Sequence, residues 1–239
     1  MTVARKHYLL QPSAAFAYRA GVGFLLLMLA VAAVFAARFA VSAGLADSVE
    51  VAHIAANQRL WRTAEPVALT DHMQRLDDLA KAQRLAPSDA APYELAARLH
   101  ATPVMAGGQT ATAPLMAREA LLAALVRRPA SGYAWAKLAA AEYALMPPGR
   151  LTDGFLQAHA NAARFGPWER EVLVTVVDLG LATWNETTAG GKAVTDGAIA
   201  RLGLRNPDDV MNIAVRRGGL AQICDKPRWQ AKPECGQFL

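Results

Sequence analysis

The apolar and polar positions divide the chain into one long apolar run followed by a succession of amphipathic segments. Ala20 to Ala37 carries no charge over eighteen residues and consists almost entirely of Leu, Ala, Val, Phe, Gly and Met. At the helical rise this run covers about 27 Å, enough to cross a hydrocarbon core. Phe39 to Val41 extend it if Arg38 snorkels to the interface, so a membrane helix is predicted over 20–41. Beyond it, Val49, Ala52, Ala56 and Leu60 share one helical side, which predicts a weakly amphipathic juxtamembrane stalk over 42–69, broken at Pro66.

From residue 70 the apolar spacing settles into threes and fours. Thr70 or Asp71 is placed to cap a helix running to Leu85, with Met73, Leu76, Leu79, Ala80 and Ala82 as its stripe and Pro87 after its end. Pro92 and Tyr93 open the next helix, which faces Leu95, Ala96 and Leu99 inward. Ala101 to Ala113, with Pro103, Gly107 and Gly108, reads as a loop. Ala117, Leu121, Ala124 and Leu125 then form a helical face that stops at Pro129. Ser131 caps a helix carrying Trp135, Leu138 and Ala139, which ends at Met146-Pro147-Pro148-Gly149. Thr152 or Asp153 caps another, through Phe155, His159, Ala162 and Ala163 to Gly166-Pro167. Trp168 to Trp184 is the most apolar soluble segment, and its length favours a helix over the strand that its β-branched residues would suit. Shorter helices over 192–202 and 207–217 follow, the second capped by Asn206 and stopped by Gly218-Gly219. Tyr93 and Trp135 each stand six residues past a proline, at Pro87 and Pro129. This register predicts an all-α chain in which the membrane helix precedes a domain of repeated antiparallel helix pairs over 70–221, with Trp135 as the packing key of the middle pair.

Composition fits that division, since 54% hydrophobic and 19% charged residues suffice for one core and one membrane segment. The net charge of +5 is carried by the anchor. Arg5, Lys6, Arg19 and Arg38 face no acid in the first 38 residues, leaving 21 basic and 20 acidic side chains over the rest. A nucleic-acid partner is therefore not expected, because the domain lacks the basic footprint. Positive residues before the run and Asp47 and Glu50 after it place 1–19 in the cytoplasm and the body outside, in the periplasm of a Gram-negative cell. A cleaved signal peptide with a small-residue site at Val41-Ser42-Ala43 is the competing reading. Cys224 and Cys235, eleven apart in the tail 222–239, can close a disulfide in an oxidising compartment or stay as free thiols.

Chemistry-bearing patterns are sparse. His53, His72, His100 and His159 stand singly on different segments, without the spacing of a helical metal pair. Asp77-Asp78 and the pair Glu169 and Glu171 fall on different helix faces, and no Gly-x-Ser-x-Gly surrounds Ser131. Gly107-Gly108 lacks the Lys-Ser/Thr of a phosphate loop. The expectation is a protein that is not an enzyme, with no catalytic, cofactor-binding or metal residues and no cofactor. Tyr93, Trp168, Arg127 and Arg128 are the candidate partner-binding side chains. The aromatics at helical spacing serve either the core or stacking on sugar rings, and Arg216-Arg217 either offsets its helix dipole or meets an acidic partner.

The run Ala117 to Ala139, with its proline and its tryptophan six residues later, resembles the junction between two tetratricopeptide (TPR) repeats. Tyr133 to Ala139, Phe165-Gly166-Pro167-Trp168-Glu169 and Asp178 to Trp184 are further similar to the small single-pass, TPR-like proteins of bacterial exopolysaccharide loci, the VpsP type of polysaccharide biosynthesis protein. The resemblance covers Pro87 to Cys224 and the anchor. It implies a non-catalytic adaptor, single-pass in the inner membrane, that supports polymer synthesis or export through protein partners, with polysaccharide contact through the aromatics as an addition. The 101–113 insertion and the 146–149 turn depart from the repeat pattern. The alternatives are a periplasmic envelope-assembly or chaperone-like TPR protein unrelated to polysaccharide, and a sugar-binding or catalytic module.

Overall fold

One unbroken helix, α1 (Ala14–Thr63), carries the chain out of the apolar run and into the packed domain. The structure, a computed structural model, describes residues 14–63, 68–101 and 112–236. The remaining helices are α2 (Leu69–Leu85), α3 (Ala91–His100), α4 (Ala113–Arg127), α5 (Gly132–Leu145), α6 (Asp153–Phe165), α7 (Arg170–Ala182), α8 (Ala189–Arg205), α9 (Pro207–Arg217) and the short α10 (Leu220–Cys224). A 3-10 turn follows at Pro233–Cys235, and no strand occurs among the described residues. The protein is all-α, with an N-terminal helix long and apolar enough to cross a membrane.

Residues 21–41 of α1 are exposed, whereas Ser42, Ala46, Val49, His53 and Ala56 are buried against α2 and α3. The Ser42 hydroxyl donates to Ala82 O at 3.0 Å, and Arg38 donates to Arg84 O at 3.2 Å at the C-terminal end of α2. The part of the expected juxtamembrane stalk from Ser42 to Ala56 is thus packed as the first layer of the array. Its seam repeats every three or four residues, the spacing that keeps one helix stripe against a partner. Pro66 and the greater part of the 101–113 insertion lie outside the described residues.

Each helix from α1 to α9 packs on the next, and a second set of contacts joins alternate ones: α1 with α3, α5 with α7, α7 with α9, and α6 with α8. Stacked helix pairs give this pattern, since a helix with one apolar stripe is covered both by its own partner and by the following pair. Alanine makes the approach close: Ala82, Ala96, Ala124, Ala134, Ala139, Ala158 and Ala162 are all buried. At several places glycine permits the approach, and a Cβ on Gly132 would lie 2.5 Å from the Gly166 backbone nitrogen. A Cβ on Gly180 would lie 2.1 Å from Thr195 Oγ1 of α8, and one on Gly203 would lie 2.5 Å from the Trp229 indole. Trp135 is half-buried between the two larger core clusters, and its indole N–H donates to Pro129 O at 2.8 Å.

Local signals set the boundaries. Ser131 Oγ and Thr152 Oγ1 accept from Ala134 N and Phe155 N, each at 3.2 Å, so both cap as expected. Thr70 and Asp71 instead lie inside the first turn of α2, whose cap position is Ala68, and Asn206 makes no capping side-chain bond. Helix α9 ends at Gly218 in the left-handed conformation at φ +67°. The last segment is no loose tail: Ile223, Trp229 and Cys235 join the α7–α9 core, and Cys224 is bonded to Cys235 with Cα atoms 5.3 Å apart.

Candidate docking groove

Helix α1 packs on α3 and α5 on α7, and a groove of about 560 Å³ lined by these four helices is closed at one side by the start of α4. Its floor is small and apolar, built from Ala97, Ala117, Leu121 and Ala141, with Ala140 and Ala144 towards the mouth. A floor of methyl groups leaves room for side chains brought by a ligand.

A line of polar side chains crosses that floor. Glu50 of α1 accepts from Arg98 of α3 at 3.2 Å, and the Arg98 Nε donates to the Tyr133 hydroxyl of α5 at 2.5 Å. The guanidinium also lies 4.8 Å from the centre of the Tyr133 ring, and Lys137 Nζ lies 5.2 Å from it on the next turn. Lys137 in turn pairs with Glu171 of α7 at 2.8 Å. Burial, opposed by Arg98 and reinforced by Glu171, pushes the Tyr133 phenol up to about 12, so it remains a neutral hydroxyl at physiological pH. The groove therefore offers charges of both signs, from Arg98, Lys137 and Glu171 on three helices, beside an apolar strip.

Three histidines gather at the end of the groove farther from the apolar run. His53 and His100 line it, and His72 lies behind them on α2. His53 Nε2 lies 3.0 Å from Asn57 Nδ2, while the buried Nδ1 atoms of His53 and His72 have no hydrogen-bond partner among the described residues. Burial lowers all three from the ordinary histidine value, helped by Arg98 and Arg75 at His53, by Arg75 at His72, and by His72 at His100. Among the described residues no histidine, cysteine or carboxylate group is arranged to hold a metal ion.

The side chains singled out in the sequence lie elsewhere, along the turns at one edge of the array. Arg127 is committed internally. It donates to Pro87 O and to Ala123 O, places its guanidinium 3.9 Å over the Tyr93 ring and donates to the Tyr93 hydroxyl at 2.8 Å. Arg128 is more than half exposed and 3.9 Å from Glu94. Trp168 is 54% exposed in the α6–α7 turn, with Arg205 5.5 Å from its ring. Arg216 and Arg217 both bond Asp178, tying α9 to α7. None of these lines the groove. The residues that do were legible only in part: Tyr133 and Glu171 each stand four positions past a proline, at Pro129 and Pro167, a shared register that marks one face of alternate helices. Compared with known protein families and with curated proteins, the chain matches none.

Proposed function

We propose that the protein is a non-catalytic adaptor, anchored in the inner membrane by α1, whose groove docks an extended or helical segment of a partner protein in exopolysaccharide synthesis or export. The observation that carries this reading is the groove itself: an apolar floor crossed by Arg98, Tyr133, Lys137 and Glu171, a surface that receives a peptide and fixes its register. The stacked helix pairs suit a TPR-like array, in which alternate helices form the binding face. The charge asymmetry about the apolar run and the Cys224–Cys235 bond support an N-terminus in the cytoplasm and a domain in the periplasm. The link to polysaccharide rests on the resemblance to VpsP-type proteins.

Ala144 is exposed at the groove mouth, so Ala144→Trp fills the groove without disturbing the core. The variant is expected to fold like the parent and to lower polymer secretion as far as deletion does. A deletion strain that secretes polymer of normal amount and length overturns the polysaccharide assignment, and leaves envelope assembly as the service the groove performs.

A further inference from the structure

The contacts of Arg38 and Ser42 hold the C-terminal end of α2 level with the end of the apolar run. With α1 spanning a bilayer as proposed, the α2–α3 turn stands at the height of the membrane interface, and Arg127 binds the end of α4 to that turn through Pro87 O and Tyr93. At this edge Arg84, Pro87, Ser88, Arg128 and Pro129 are exposed, and Val126, on the last turn of α4, is 82% exposed. The nearby acids are engaged within the protein: Asp89 accepts from Ala91 N, and Glu94 accepts from Ser131 and faces Arg128 at 3.9 Å. Outward cations beside a bare aliphatic side chain are what a headgroup layer accepts, phosphates meeting guanidinium and the aliphatic group reaching the acyl boundary.

We propose that this edge rests on the phospholipid headgroups of the leaflet from which α1 emerges, with Arg84 and Arg128 on lipid phosphates and Val126 at the acyl boundary. The inference rests on α1 spanning a bilayer, as in the reading above. It fixes the pose of the domain, with the α2–α3 and α4–α5 turns down.

The test uses the full chain, with its disulfide intact, in vesicles of phosphatidylethanolamine and phosphatidylglycerol. A spin label is placed at Val126→Cys or at Leu115→Cys, both exposed positions on α4 and about 16 Å apart along its axis. With nickel chelated to lipid headgroups, relaxation of the label at 126 should be enhanced several-fold more than at 115. Adding Arg84→Glu and Arg128→Glu should reduce that difference. Equal enhancement at the two positions overturns the proposal, as does a difference that follows protein density instead of headgroup charge, which would mark contact with a second copy. Failure of the unlabelled protein to float with the vesicles removes the spanning reading and this inference together.

Discussion

His53 sits where α1 meets the groove, and its neighbours oppose its protonation. Burial comes first, then Arg98 of α3 and Arg75 of α2, with only Glu50 on its own helix favouring the charge. His72 and His100 are lowered in the same direction. A histidine whose folded value lies below 6.5 is protonated first in the unfolded chain, so its contribution to stability is present above that pH and is lost as pH falls below it. The thermal midpoint should therefore drop between neutral pH and about pH 5, and the drop should shrink in a His53→Gln, His72→Gln variant. A flat profile in the parent would contradict this. Trp135 offers a second check at this scale. It is half-buried, so Trp135→Ala should cost about 2 kcal/mol, below the range for buried tryptophan. Phe155 is 1% exposed, between Tyr143 and His159, and Phe155→Ala should cost about 3 to 5 kcal/mol. Denaturant titration of the two variants gives the order.

Between elements, the connections most open to test are α7 to α9 and the disulfide loop. Burial alone would raise Asp178, but the two hydrogen-bonded guanidinium groups of Arg217 and Arg216 hold it below its ordinary value. Arg217→Ala removes the better-buried partner and should cost about 1 to 3 kcal/mol, more than Arg216→Ala, in chemical denaturation. Reducing the Cys224–Cys235 bond frees the loop that presses Trp229 onto Gly203 and should cost about 2 to 4 kcal/mol. Helix positions and the caps of α5 and α6 were legible because each depends on neighbours a few residues away: Pro129 and Ser131 between α4 and α5, and Thr152 before α6, announce themselves locally. The seam of α1 was legible only at Val49 and Ala56, because Ser42 and His53 occupy two of its other buried positions and break the apolar stripe that a pattern search follows. The groove was half-legible for a related reason. Tyr133 and Lys137 lie within the most repeat-like run, but their partners Arg98 and Glu171 are brought there by stacking, across 34 to 35 residues of sequence. Tyr93 and Arg127, expected as partner-binding side chains, bond each other across the α2–α3 and α4–α5 turns.

For the whole molecule, the proposed topology makes two demands. A C-terminal reporter that works only in the periplasm should be active, and activity only of a cytoplasmic reporter would invert the chain. Thiol labelling of native protein should find both cysteines blocked until reduction. The remaining consequence comes from α1. At 50 residues it is about 75 Å long, with no break between the apolar half and the half that packs on α2 and α3. A domain on a flexible tether would face any direction, whereas here the helix acts as a mast and the domain as a fixed yardarm. Where α1 spans a bilayer as proposed, the tilt of the mast sets the inclination of the groove to the membrane plane. Thinner bilayers tilt spanning helices further. In the proposed topology, membrane thickness thus becomes a variable that inclines the groove towards or away from the bilayer.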